Sequence, residues 1–110
     1  MTTTQTDGQW GKEERKIADS ALKKAYEKET EALMANIREN AANVTQLEDV
    51  WQLHDFLSAK RHDIDGKYDD REEFLMFTLS KLIKTGLLDK SDLQGLAADK
   101  RAKIAVLTRM

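Results

Sequence analysis

No proline occurs anywhere in this chain, and only five glycines do. Proline inside a helix removes a backbone donor and clashes with the preceding turn, while glycine costs a helix about 1 kcal/mol relative to alanine. Between these few breaks lie long tracts rich in Ala, Glu, Lys and Leu. The chain can therefore run as helix over most of its 110 residues. An all-α domain follows.

The apolar content limits how such helices can pack. Twelve of the nominally hydrophobic residues are alanines, aromatics make up 6% and charged residues 35%. One domain of this size folds around a thin core, and a second copy covering an apolar helix face is the natural remedy. A homodimer is expected. Cysteine is absent, which excludes a disulfide framework and a thiolate metal site and points to the reducing cytosol. No apolar run approaches the ~20 residues of a membrane span. The opening Met1-Thr2-Thr3-Thr4-Gln5-Thr6-Asp7-Gly8 has neither a basic region nor an apolar stretch, so it does not read as a signal peptide. Residues 1–11 are expected to be a disordered lead-in, and 12–110 a single helical domain.

A first helix is expected from Lys12 to about Asn43, with Ile17, Ala21, Ala25, Leu33, Ile37, Ala41 and Val44 as its apolar stripe. Thirty residues of helix span about 45 Å, longer than a small compact domain needs. Thr45-Gln46-Leu47-Glu48 has the form of a capping box, opening a second helix that runs to Gly66. A third begins near Asp69 and Asp70 and ends at Gly86, with Phe74, Leu75, Phe77, Leu79, Leu82 and Ile83 as the most apolar set. Ser91-Asp92-Leu93-Gln94 marks another start, and a last helix from Ala98 buries Ile104 and Leu107. The expected architecture is a long helical hairpin, or stalk, carrying a small helical head.

Within the second helix Leu47, Val50, His54, Leu57, Arg61 and Ile64 recur at three- and four-residue steps and share one face. Leu47, Val50, Leu57 and Ile64 are the expected dimer interface. Polar residues in such a seam either fix partner and register at a cost in stability or snorkel to solvent. Spacing leaves both readings open.

Other chemistry is poorly supported. With Gly66 at the sixth position of an EF-hand loop, Asp63, Asp65, Asp69 and Glu72 fall at ligand positions, but Arg61 would occupy the first, where a carboxylate must ligate. No metal is expected. His54 and His62 lie about two helical turns apart and cannot share an ion. Adjacent His54 and Asp55 should point about 100° apart and form no dyad. No nucleophile elbow or phosphate loop is present, so no enzymatic activity is expected. Residues 46–73 carry nine acids against four bases, and 74–110 seven bases against three acids, a polarity that can orient a partner. Lys100, Arg101, Lys103 and Arg109 follow a helix-turn-like segment. With Asp99 interleaved and a pI near 5.7, however, they read as a solvated face rather than a nucleic-acid site.

The run Trp51-Gln52-Leu53-His54-Asp55-Phe56-Leu57-Ser58-Ala59, followed by Arg61-His62-Asp63-Ile64-Asp65-Gly66-Lys67-Tyr68-Asp69, resembles the signature of the fluorescence recovery proteins of cyanobacteria. The likeness is looser at Ile17-Ala18 and Ala25-Tyr26-Glu27. It returns at Gly95-Leu96, Asp99-Lys100 and Lys103-Ile104-Ala105-Val106-Leu107-Thr108-Arg109-Met110. The resemblance implies a small helical homodimer without cofactor. Such proteins bind the photoactivated red form of the orange carotenoid protein through its C-terminal domain, speed its return to the orange form and release it from the phycobilisome. It carries partner-binding roles to Trp51, His54, Asp55 and Arg61, and to Phe77 and Lys103. It also implies a cytoplasmic location, peripheral to the cytoplasmic face of the thylakoid membrane. The third helix departs from the family pattern. Asp70 and Glu72 stand where tyrosines are common, and the family's tryptophan near Leu87 is missing. A different protein partner on the same fold is the alternative these departures leave open.

Overall fold

The computed structural model describes residues 10–110, and the expected lead-in falls outside it up to Gln9. Four helices follow one another, α1 (Lys12–Ala42), α2 (Leu47–Lys67), α3 (Glu72–Lys84) and α4 (Ala98–Arg109), with a short 3₁₀ turn at Lys90–Leu93. The molecule measures 65 × 25 × 21 Å. The 31 residues of α1 run through both parts of it. Its first half packs in the head against α3 and the 3₁₀ turn, and its second half runs out with α2 as the stalk, tied to it at Glu29 by Lys60 and Lys67.

The core sits entirely in the head. Leu75, Leu79 and Leu82, at four- and three-residue steps on α3, are fully buried. They meet Ala18, Ala21, Leu22 and Ala25 of α1, with Leu88, Leu93, Leu96 and Ile104 closing the cluster. Alanines on α1 let α3 approach closely, and each buried leucine contributes about 1.5–3 kcal/mol. Phe74 and Phe77, expected among the apolar set of α3, remain exposed instead. They occupy the opposite side of that helix, where the head offers nothing to cover them.

The helix boundaries depart from expectation for local reasons. α2 starts at Leu47, and the reciprocating carboxylate is Asp49 rather than Glu48. It accepts from the backbone N–H groups of Thr45 and Gln46 at 3.0 and 3.2 Å, and from the Thr45 hydroxyl at 3.2 Å. α2 also continues through Gly66 to Lys67, so Asp63 and Asp65 lie on helix rather than in a loop. α3 begins only at Glu72, because Asp69 closes back on Arg71 with a two-point ion pair, its shortest contact 2.7 Å. That pairing holds the Asp69 carboxyl down to about 2. The glycine stop after α3 is real: Gly86 has φ +84°, and its carbonyl accepts from Lys28 Nζ at 3.0 Å. The 3₁₀ turn is capped by Asp89, two residues before the expected Ser91, with Asp92 reaching back to the Asp89 N–H at 2.9 Å.

Trp10, placed by sequence in the lead-in, packs on the core instead. The buried Lys100 ammonium lies 5.2 Å from its ring centroid and 3.0 Å from Glu14 Oε1. Glu14 Oε2 in turn accepts from the Ala97 N–H at 2.8 Å, capping the start of α4. Burial pushes the Glu14 carboxyl up, but these donors outweigh it and hold the group below its usual value. Trp10 and the first turn of α1 are thus fastened to the last helix.

Candidate protein-interaction surface

None of the 21 residues of α2 is buried. The face turned toward α1 carries Leu53, Leu57, Lys60, Ile64 and Lys67, each partly covered. What holds this face is polar. Glu29 of α1, buried at 5% exposure, accepts from Lys67 Nζ at 2.6 Å, pairs with Lys60 at 3.1 Å and accepts from the Tyr68 hydroxyl at 2.6 Å. Burial raises the Glu29 carboxyl, and the Lys67, Tyr68 and Lys60 contacts more than reverse this, leaving it below the ordinary glutamate value. Burial and the Glu29 hydrogen bond drive the Tyr68 phenol upward. Tyr26 meets the Tyr68 ring edge-on, with centroids 5.4 Å apart.

The flank of α2 beside this face is open. Leu47 is 65% exposed, Trp51 52% and Val50 41%. His54 and Arg61 fall on the same side by helical spacing, with side chains 70% and 86% exposed. The expected dimer seam is therefore divided within one chain: Leu47 and Val50 face solvent, while Leu57 and Ile64 lean toward α1. Arg61 Nε lies 3.9 Å from Asp65, a loose surface pair that leaves most of the guanidinium available. Contrary to expectation, His54 Nδ1 and Asp55 Oδ1 come within 3.3 Å. Bending of two exposed side chains toward each other overcomes their angular separation. With both in water the contact is a surface one.

Phe77 and Lys103 belong to the other end of the molecule. Phe77 is 54% exposed on α3, and Lys103 is exposed on α4. Trp51 lies some 16 residues, about 24 Å of helix, above the end of α2 where the head begins. Trp51, His54 and Asp55 thus form a stalk group and Phe77 and Lys103 a head group, with Arg61, six residues before the end of α2, between them. Beside Phe77, Phe74 is capped by the Arg71 guanidinium, 4.5 Å from its ring centroid, an aromatic–cation pair that sequence reading missed.

The departures Asp70 and Glu72 have a partner the sequence did not reveal. Arg15 of α1 lies 3.6 Å from Asp70 and 3.5 Å from Glu72, and also bonds Asp19 at 3.2 Å. Among the described residues no three His, Asp or Glu side chains converge to hold a metal ion. No described helix is long and apolar enough to cross a membrane.

Comparison with known proteins agrees with this architecture. Residues 10–108 match the family profile of the photoprotection regulator fluorescence recovery protein. The fluorescence recovery protein of Synechocystis sp. PCC 6803 is 46% identical over 101 residues, covering 92% of this chain and 93% of that protein. The solved structure of the Fremyella diplosiphon fluorescence recovery protein superposes with a TM-score of 0.90 at 49% identity. It covers 93% of this chain and all of the other. The Synechocystis structure gives the same TM-score and coverage at 46% identity. A profile match across nearly the whole domain, together with an all-helical fold shared from stalk to head, makes this chain a member of the fluorescence recovery protein family of photoprotection regulators.

Proposed function

We propose that this chain is a homodimeric, non-enzymatic regulator that binds the photoactivated red form of the orange carotenoid protein through that protein's C-terminal domain. It speeds the return to the orange form and detachment from the phycobilisome, restoring antenna fluorescence. The observation that carries the reading is the state of α2: a helix of 21 residues that buries none of them and opens Leu47, Val50 and Trp51 to solvent. A helix in a folded protein owes its stability to a covered apolar face. A second copy laid along Leu47, Val50, Leu57 and Ile64 supplies that cover. Trp51, His54, Asp55 and Arg61 at the stalk, with Phe77 and Lys103 at the head, are assigned to the partner, His54 and Arg61 from the exposed edge of that seam. An indole, a phenyl ring and an arginine are favoured interface anchors.

Acceleration needs no catalytic group. A protein that binds the closing form of its partner more tightly than the open form lowers the barrier between them by that difference. No cofactor is involved, and the site of action is the cytoplasm, at the cytoplasmic face of the thylakoid membrane where the antenna sits. The test is direct. Purified orange carotenoid protein is converted to the red form by light, and its absorbance is followed in darkness with and without this chain. A faster return is expected. An unchanged rate at excess chain means the function must be given up.

A further inference from the structure

A cleft lies between the end of α2 and the C-terminal half of α3, an open volume of about 530 Å³ bordered by His62, Asp63, Lys67, Lys81, Lys84 and Thr85. Its charges are not balanced. Lys67 is already satisfied, by Glu29 at 2.6 Å and Asp63 at 3.0 Å. The Asp63 carboxylate is spent on the same lysine. The side chains of His62, Lys81 and Lys84 make no hydrogen bond or ion pair with any described residue. Two ammonium groups and an imidazole therefore line one concavity whose single carboxylate, Asp63, pairs with Lys67 and not with them.

Lysines in the last turns of a helix do complement its carbonyl end, and Lys81 and Lys84 serve α3 in that way. That role does not require a cleft, nor a histidine on a second helix facing it. The lysines also continue an exposed stripe. Phe74, Phe77, Lys81 and Lys84 follow one another at three- and four-residue steps, so the open aromatic face of α3 leads directly into the basic cleft. Aromatics followed by cations suit a segment that presents an apolar side chain and then carboxylates.

We propose that this cleft docks an acidic segment of a partner protein, with its carboxylates between Lys81, Lys84 and His62. The identity of that partner as the carotenoid protein rests on the function proposed above; the affinity of the cleft for carboxylates does not. The chain's two histidines provide the reporters, since His62 borders the cleft and His54 stands two turns away on the stalk. The full chain is titrated with a short polyglutamate peptide at low salt while both imidazole resonances are followed by NMR. Saturable movement of His62 alone is expected, suppressed by salt and lost in Lys81→Glu/Lys84→Glu. The milder Lys81→Gln/Lys84→Gln, which keeps the side-chain length and adds no repulsion, should weaken the effect. Reversal at Lys23, exposed on α1, should leave it intact. Equal movement of both histidines, movement of neither, or an unchanged response in the lysine variants overturns the proposal.

Binding to the red carotenoid protein then separates the two readings. Charge reversal at Lys81 and Lys84 should weaken it at least about tenfold at low salt, and less at high salt. If Phe77→Ala weakens binding and the lysine variants do not, the cleft is excluded as the dock for that partner and the function stands. If the parent chain does not bind that partner at all, the proposed function falls, and the peptide titration alone decides the cleft.

Discussion

The Tyr68 hydroxyl donates to Glu29 Oε1 at 2.6 Å, at the point where the stalk joins the head. The other Glu29 oxygen takes Lys67 and Lys60. A single buried carboxylate of α1 thereby fixes the last two turns of α2 and the residue after them. This is a polar lock where a helical hairpin would ordinarily use leucines, and it sets the direction in which α2 leaves the head.

Removing the lock should loosen the stalk before the head. Glu29→Ala is expected to cost about 2–4 kcal/mol, below the figure for a fully buried pair because Lys60 stays partly in water. Tyr68→Phe should cost about 1–2 kcal/mol by taking away one hydrogen bond to a charged group. Urea unfolding measures both. Amide exchange in α2 should rise in each variant while α3 stays protected.

Acid should act on the same contacts. Glu29 and Glu14 are held below their ordinary value of 4.5, and Asp92, bonded to Lys24, below 3.8. Carboxyls depressed in the fold contribute stability that is present above their unfolded values and lost as pH falls through the folded ones. Stability is therefore expected to be level down to about pH 5 and to drop toward about pH 3. Glu29→Gln, less stable at neutral pH, should show a shallower decline. Urea midpoints across this range would reveal an equal slope if Glu29 takes no part.

The lock explains which parts of the molecule were legible in sequence. Helix periodicity and the few glycines were sufficient for α1 to α4, because each depends on near neighbours. The leucine spacing of α3 marked the core as well. Glu29 was missed because a charged residue is normally assigned to solvent, although it sits one turn beyond Ala25 on the buried row of Ala18, Ala21, Leu22 and Ala25. Trp10 was missed for a similar reason: what orders it is Lys100, ninety residues away, and no local pattern records that pairing. Cap positions slipped by one or two residues wherever an aspartate outcompeted the expected glutamate or serine. For the surface, spacing placed Trp51, His54 and Arg61 together but could not show that Phe77 and Lys103 lie at the other end.

Arg15 offers a test of the departures at Asp70 and Glu72. Its ion pairs to them are 3.6 and 3.5 Å long, with both carboxylates more than half exposed and the arginine side chain 30% exposed. Arg15→Ala should therefore change stability by no more than about 1 kcal/mol. Arg15→Glu sets four like charges together, its own with Asp19, Asp70 and Glu72, and should lower the melting temperature further at low salt, with partial recovery at high salt. A salt-independent loss would show that the arginine acts through packing.

Val50 separates folding from association. It is 41% exposed in the single chain, so Val50→Glu should leave the isolated fold within about 0.5 kcal/mol. In a dimer closed along α2, the same carboxylate would enter the interface from both copies at a cost of several kcal/mol. Light scattering at micromolar concentration should report a monomer with an unchanged far-UV spectrum. A persisting dimer would move the interface elsewhere.

Arg61 and Trp51 test the partner surface itself. Both are open in the single chain, and Arg61 has only the loose contact with Asp65, so neither is needed for the fold. Arg61→Leu keeps bulk and helix propensity while removing the charge, and Trp51→Leu removes the ring while leaving an apolar side chain. If these side chains meet the red carotenoid protein, a desolvated arginine or indole contact is worth about 1.4–4 kcal/mol, or roughly 10- to 1,000-fold in affinity. Each variant should keep the parent's oligomeric state and melting temperature and accelerate the dark return only at much higher concentration. The concentration giving half-maximal acceleration is the quantity to compare. If both variants match the parent in that value, the stalk residues do not contact the partner, and recognition must be sought in the head around Phe77.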